Sequence, residues 1–524
     1  MPVTGRPEQV SEMTFQPQAV TSGDPTRPEH TDVLIIGAGL SGVGAGYHLQ
    51  ANCPGKSYVI LEGRETMGGT WDLFKYPGIR SDSDMYTLGY SFKPWTNPKA
   101  IADGPSILAY IKETAQEYGI DKHIRFSHKV VKANWSTDDA LWHVTAKRGP
   151  EQEEVRFTAN FLFMCGGYYN YDEAFTPDFE GRDDFKGDVI HPQFWPENYD
   201  YSGKKVVVIG SGATAMTLVP SMTDKAEHVT MLQRTPTYVV SRPGSDAFAN
   251  TMRKYLPAKM AYGITRWKNV LMGMYFYRMC MNKPAKVKDY LLGMVRDSLG
   301  KEEVEKNFTP PYDPWDQRLC LVPDDDLYTS IKSGKASVKT DHIERFTETG
   351  IKLKSGEELE ADIIVTATGL KLLPWNGLNV AIDGKQVQAS DTMAYKGFMY
   401  SGVPNLASSF GYTNASWTLK CDLTCEYVCR LMNYMDERGF DQATPSFNTQ
   451  EVTPEPWLDL KSGYVQRAME QFPKQGDKTP WKLHQNYAKD LMMLRYGKVD
   501  GQGMVFTSKP AAKPATAPRS IAAE

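Results

Sequence analysis

The sequence predicts an α/β fold with two Rossmann-like dinucleotide-binding domains, the second interrupted by a helical insertion. Three observations predict it. Residues 31–36 (TDVLII) are an apolar, β-branched run that leads into Gly37-Ala38-Gly39-Leu40-Ser41-Gly42 and then a helical stretch. The same order returns at residues 205–209 (KVVVI), followed by Gly210-Ser211-Gly212-Ala213-Thr214-Ala215. A further strand closes each unit, at 56–62 and at 228–234. Near-continuous apolar strands alternating with helices read as buried parallel sheets.

Along the chain, residues 1–30 are polar, rich in Pro and Thr, and lack the apolar segment of a secretion signal, so a disordered tail is expected. Residues 31–180 and 360–506 are expected to build the first, discontinuous domain, and 181–242 with 308–359 the second. Strands at 161–167 and 361–369 end in small residues, which lets backbone pass close to a large ligand. Residues 243–307, rich in Met, Tyr and Lys, read as the insertion. Their Met and aromatic stripe is expected to pack as core, and membrane association is not expected. Residues 507–524, rich in Ala, Pro and Lys, read as a second disordered tail.

Composition narrows the function classes. With 59 Lys and Arg against 63 Asp and Glu, the 524-residue chain has no basic surplus to bind nucleic acid. No uninterrupted run of 18 apolar residues occurs, so no bilayer-spanning helix is expected. Seven Cys are an odd count, too few for a disulfide framework in so long a chain, which suits a reduced, cytoplasmic enzyme. Cys421, Cys425 and Cys429 repeat every fourth residue, but each helical step of that spacing rises about 6 Å. The outer two therefore cannot share one tetrahedral metal, and no metal site is expected.

The two glycine turns differ where specificity is set. In the first, Gly37 makes the tight turn, Gly39 lets a pyrophosphate approach the amides, and Gly42 allows close helix packing. Glu62 stands at the end of the following strand, placed to accept from ribose hydroxyls, which suits FAD or NAD. In the second, Gly210, Gly212 and Ala215 are followed by Arg234, with Thr235 beside it. A guanidinium there suits a 2′-phosphate and favours NADPH. A non-phosphorylated dinucleotide beside NADPH implies electron transfer from NADPH to a flavin. Disulfide reductases share this plan, but no redox cysteine pair stands near Gly68-Gly69-Thr70-Trp71.

Residues 185–196 (FKGDVIHPQFWP) then match F-x-G-x-x-x-H-x-x-x-W-P through Phe185, Gly187, His191 and Trp195. Residues 68–82 match G-G-x-W-x-x-x-x-Y-P-G-x-x-x-D. Both patterns resemble the type I Baeyer–Villiger monooxygenases. Residues 68–86 and 314–323 are similar to the ethionamide-activating mycobacterial branch of that family. The resemblance runs from about Thr31 to Lys509.

The resemblance implies an FAD-containing enzyme that uses NADPH and O2 to convert ketones to esters through a C4a-peroxyflavin and a tetrahedral adduct. It implies a catalytic role for Arg318, a cation that cannot lose its charge, with Asp82 orienting it. It places Ser41, Gly69, Thr70, Trp71, Asp72, Leu73, Asp82 and Val130 against FAD. Arg80, Ser81 and the 210–215 turn fall to NADPH. His191 and Trp195 would lie on the linker that couples domain movement to NADP binding, a structural role rather than that of a general base. One departure stands out: many members carry Lys before the catalytic Arg, whereas this chain has Gln317, which leaves Arg234 and Thr235 with more of the discrimination. Linear aliphatic or aryl methyl ketones are the expected substrates, with sulfoxidation as a side activity. Heteroatom oxidation as the main reaction, and an uncoupled NADPH oxidase or redox sensor, are the alternatives. The oligomeric state is open.

Overall fold

The computed structural model describes residues 28–317, 319–458 and 462–509. The expected tails therefore lie almost wholly outside the described residues, but their inner edges do not. The first strand starts at Glu29, and Thr507 closes a strand (Met504–Thr507) paired with Gln442–Pro445, so strands take in the inner edge of each.

β1 (Glu29–Ile36) runs through the turn into α1 (Leu40–Asn52) and returns as β2 (Tyr58–Leu61). Val33, Leu34, Ile35 and Ile36 are all buried, each burial contributing about 1.5–3 kcal/mol. β3 (Ile124–Arg125) adds to β2, and β4 (His128–Ser136), β5 (Leu141–Arg148) and β6 (Glu153–Met164) form an antiparallel meander whose last strand lies parallel to β1. After the meander the chain crosses to the second sheet with β7 (Asp188–Ile190), β8 (Lys205–Ile209), α2 (Ala213–Met222) and β9 (His228–Gln233).

The insertion follows as helices, chiefly α3 (Ala258–Asn282) and α4 (Pro284–Leu299). The chain re-enters the second sheet as β10 (Ala336–Thr340) and β11 (Ile363–Thr366), giving the all-parallel order β10-β9-β8-β11-β7. β12 (Asn379–Ile382), β13 (Lys385–Val387) and β14 (Leu406–Ser408) then return to the first sheet, and α5 (Trp417–Arg438) packs on α1.

Two expectations change here. A boundary at 360 puts β11 in the first domain, yet β11 pairs with β8 and β7, in the second sheet. The insertion also does not belong to the second fold alone. Arg266 of α3, buried, donates to Tyr86 O (2.9 Å) and Gly89 O (2.7 Å), and Tyr262 Oη donates to Tyr90 O (2.9 Å) in the first fold. Cys280, Val287 and Leu291 pack with Tyr238 and Val240 in the second. The helices bridge the two folds.

Candidate functional site

The turn after β1 is forced by its neighbours. Gly37 has φ +97°, and a Cβ there would lie 2.8 Å from Gly166 Cα at the end of β6. A Cβ on Gly42 would lie 1.9 Å from Gly37 O, so α1 can start only because that position is bare. The small residues ending β6 therefore make room for this turn as well as for a ligand. α1 begins at Gly39 with no side-chain cap and no acid in its first turn. Its N-terminal amides and partial positive charge are left to whatever occupies the cavity in front. Gly39 and Ser41 line that cavity; Gly42 faces the packing instead.

Glu62 closes the pocket floor. It is buried, and its two carboxylate oxygens accept from Ala38 N–H (2.8 Å) and Arg64 N–H (3.0 Å). Burial pushes its carboxyl up from the ordinary carboxylate range, against those two bonds. Gly69, Thr70 and Trp71, at the start of a short helix (Thr70–Leu73), line the wall opposite α1. Asp72 and Leu73 do not. Asp72 turns away to pair with Arg64 (2.8 Å), and Leu73 packs on the core of the second fold. Val130 of β4 lines the same cavity.

The second turn repeats the plan more loosely. A Cβ on Gly210 (φ +139°) would lie 2.4 Å from Ala367 O, just past β11, but one on Gly212 would meet none of the described residues within 4 Å. α2, like α1, starts on a glycine without a side-chain cap. Ser211 Oγ donates to Thr235 O (3.1 Å), tying the turn to the end of β9. Gly210, Ser211, Gly212, Ala213, Thr214, Arg234 and Thr235 line the cavity, whereas Ala215 is fully buried behind them. Arg234 is exposed on the cavity and has no carboxylate partner among the described residues. Arg80 also lines it, but its guanidinium is paired with Asp326 and reaches Met216 O (3.4 Å). Ser81 Oγ is spent locally, donating to Ser83 O (2.7 Å).

Both turns open on one cavity of about 2530 Å³. That exceeds the roughly 300–1,000 Å³ of a single-ligand pocket. Asp82 is exposed on its wall, and its charge helps raise the Tyr76 phenol, which burial already pushes up. Arg318 lies outside the described residues; its neighbours in sequence, Gln317 and Leu319, line the cavity.

The linker residues divide. His191 lines the cavity: its Nε2–H donates to Gly369 O (3.2 Å) and its Nδ1 accepts from Gln193 N–H (3.1 Å). Burial pushes its pKa down, so this neutral tautomer holds the linker to the chain just beyond β11. Phe185 packs edge-on against Phe346, and Gly187 is needed because a Cβ would lie 2.2 Å from Asp362 O. Trp195 is buried between Tyr199 and Tyr201, away from the cavity.

Sequence spacing missed residues that fold together from far apart. Trp417 Nε1–H donates to Ser41 Oγ (2.8 Å) and its ring stacks on Tyr168, making a wall over the first turn. Arg467 lies over Phe175 on the rim. No local motif marks either residue. Cys421 sits in α5 with Ser409 Oγ at 2.8 Å and Ser41 Oγ at 3.4 Å, its thiol pushed up to about 12 by burial. The cysteine stripe packs α5 on α1, and Cys429 reaches His48 O (3.5 Å).

Comparison with known proteins gives a consistent set of relatives. The family described as flavin-binding monooxygenase-like matches residues 96–397, and the NAD(P)-binding Rossmann-like domain matches residues 35–97. The FAD-containing monooxygenase EthA of Mycobacterium tuberculosis is 55% identical over 485 residues, 92% of this chain and 99% of that protein. The probable FAD-binding monooxygenase AlmA of Acinetobacter baylyi is 49% identical over 483 residues, 92% and 97% respectively. Among solved structures, an oxidized steroid monooxygenase bound to NADP superposes with a TM-score of 0.72 at 22% identity, covering 91% of this chain and all of that one. Cyclohexanone monooxygenase with ε-caprolactone bound gives 0.70 at 20% identity, covering 92% and all of that one.

Proposed function

The chain belongs to the flavin-binding monooxygenase-like family, and we propose that it is an FAD- and NADPH-dependent Baeyer–Villiger monooxygenase converting ketones to esters. The observation that carries this is one large cavity onto which two glycine turns open, each at an uncapped helix N-terminus. The residues fit the cofactors: bare amides for two pyrophosphates, a buried acid at the first strand end and, at the second, an exposed guanidinium with no carboxylate partner among the described residues.

When bound, FAD supplies the oxygen-activating redox chemistry and NADPH the reducing equivalents. The chain's part is binding, orientation and charge. Gly37, Gly39 and Ser41 hold the FAD pyrophosphate, Glu62 its ribose, Val130 its adenine, and Gly69 to Trp71 its ring end. Gly210 to Thr214 hold the NADPH pyrophosphate, with Arg234 and Thr235 on the 2′-phosphate. Arg318 holds a fixed positive charge against the negative charge that develops on oxygen, and Asp82 orients it. Trp417, Tyr168 and Phe74 wall off bulk water, which would otherwise divert the oxidant.

Turnover of an aryl methyl ketone and an aryl methyl thioether under one condition tests the reading. Ester formed nearly one for one with NADPH is expected, with slower sulfoxide formation. Sulfoxide alone would make this a heteroatom oxygenase, and hydrogen peroxide matching NADPH despite added ketone would make it an oxidase. Arg318→Ala should keep its FAD and still be reduced, yet lose ester formation by about 10²-fold or more. Undiminished ester formation would overturn the role given to Arg318.

A further inference from the structure

The stripe of α3 expected to pack as core is on the outside. Met260, Ile264, Trp267, Leu271 and Tyr275 are 54, 43, 43, 58 and 68% exposed. Their spacing of four, three, four and four places them within an arc of about 80°, along about 22 Å of helix. The helix cannot roll to hide them. Its opposite face is fixed by buried Ala261, Tyr262, Thr265 and Arg266, the last bonded to Tyr86 O and Gly89 O. A contiguous exposed apolar row of this kind marks a docking surface.

Charge says what docks there. Residues 247–288 contain nine Lys and Arg and no Asp or Glu, in a chain whose net charge is −4. Lys254 and Lys259 are exposed before the stripe, and Arg278, Lys283 and Lys286 beyond it. Among the described residues no helix is long and apolar enough to cross a membrane, so a contact with lipid here lies along the surface. The patch also runs into the functional site: Phe248, Met272, Tyr275, Met281 and Tyr290 are exposed and line the cavity as well.

We propose that the helical insertion is a docking face for an anionic lipid bilayer. The apolar stripe of α3 sinks into the headgroup boundary, the flanking cations meet the lipid phosphates, and the mouth of the cavity faces the membrane. A second copy of the chain is the competing occupant, but two such faces would bring like charges together.

Flotation of the full-length, FAD-loaded protein with vesicles tests this without reference to turnover. Binding to mixed phosphatidylglycerol–phosphatidylcholine vesicles should exceed binding to phosphatidylcholine alone at least tenfold, and high salt should release the protein. Ile264→Ser with Leu271→Ser, and separately Lys254→Glu, Lys259→Glu, Lys283→Glu and Lys286→Glu together, should each reduce binding at least tenfold. Neither set lies on the cavity wall, so the melting temperature and turnover of a water-soluble ketone should stay at wild-type values. Failure to float with the anionic vesicles would overturn the proposal, as would equal flotation of the charge-reversed variant. So would a self-associated particle that binds no vesicles and that Leu271→Ser dissociates.

Discussion

The two nucleotide turns share a plan and differ in closure. In each, the first glycine is dictated by backbone at a neighbouring strand end: Gly166 Cα for Gly37 and Ala367 O for Gly210. At the third position they part, since Gly42 has no room for a Cβ while Ala215 carries one in a fully buried site. The first turn is walled by Gly69, Trp71 and Trp417; a Cβ on Gly212 would meet none of the described residues within 4 Å. The first acid, Glu62, is buried and bonded to two backbone amides, whereas Arg234 is exposed and unpaired among the described residues. One fold thus offers a closed site suited to a nucleotide that stays, and the other an open site suited to one that exchanges.

The largest contrast should come from adding one methyl group to each turn. Gly42→Ala must push α1 off the turn and should cost more than about 3 kcal/mol with loss of bound FAD. Gly212→Ala should leave the melting temperature unchanged and weaken only NADPH. Thermal melts and FAD content check the pair, and equal destabilisation would erase the difference between the turns.

A smaller contrast separates the acid from the cation. In Glu62→Gln one carboxylate oxygen becomes an N–H donor facing Ala38 or Arg64 N–H, which should destabilise the first fold by about 1–3 kcal/mol and weaken FAD retention. Arg234→Ala should leave stability unchanged and raise KM for NADPH by about tenfold, with KM for NADH little altered. Kinetics with both nucleotides decide this, and equal changes in the two KM values would remove the phosphate role.

Much of this was legible because it is local. Apolar strand, glycine turn and strand-end residue sit within a few tens of positions, so both turns, Glu62 and Arg234 could be read from spacing. What was not legible depends on pairing at a distance. Nothing in the composition of residues 363–366 says that they pair with Lys205–Ile209 rather than with the first sheet. A Met and aromatic stripe has the same period whether it faces core or solvent, and the burial of Ala261, Tyr262, Thr265 and Arg266, with Tyr262 and Arg266 anchored to the first fold, decides which face of α3 is out. Asp72, Leu73 and Ala215 stand inside the right motifs but lie off the cavity, Asp72 paired with Arg64 and the other two packed against the second core. Trp417 and Arg467 reach the cavity from segments without a signature.

The smallest effect concerns the linker between the two regions. His191 is held neutral by burial, so its folded pKa lies below the ordinary value near 6.5. The unfolded chain therefore binds more protons in that window, and stability should be intact above pH 6.5 and fall as pH drops below it. His191→Asn can still accept from Gln193 N–H but does not titrate, so melts across this range should show a shallower decline. An unchanged slope would mean that other groups carry it.

The claim that both nucleotides work on one shared cavity is tested most directly by adding NADPH to the FAD-loaded protein without oxygen and following the flavin absorbance. Bleaching in step with NADPH oxidation is the predicted result, with Arg234→Ala needing more NADPH to reach the same rate. A flavin that stays oxidised while NADPH is demonstrably bound would contradict the account.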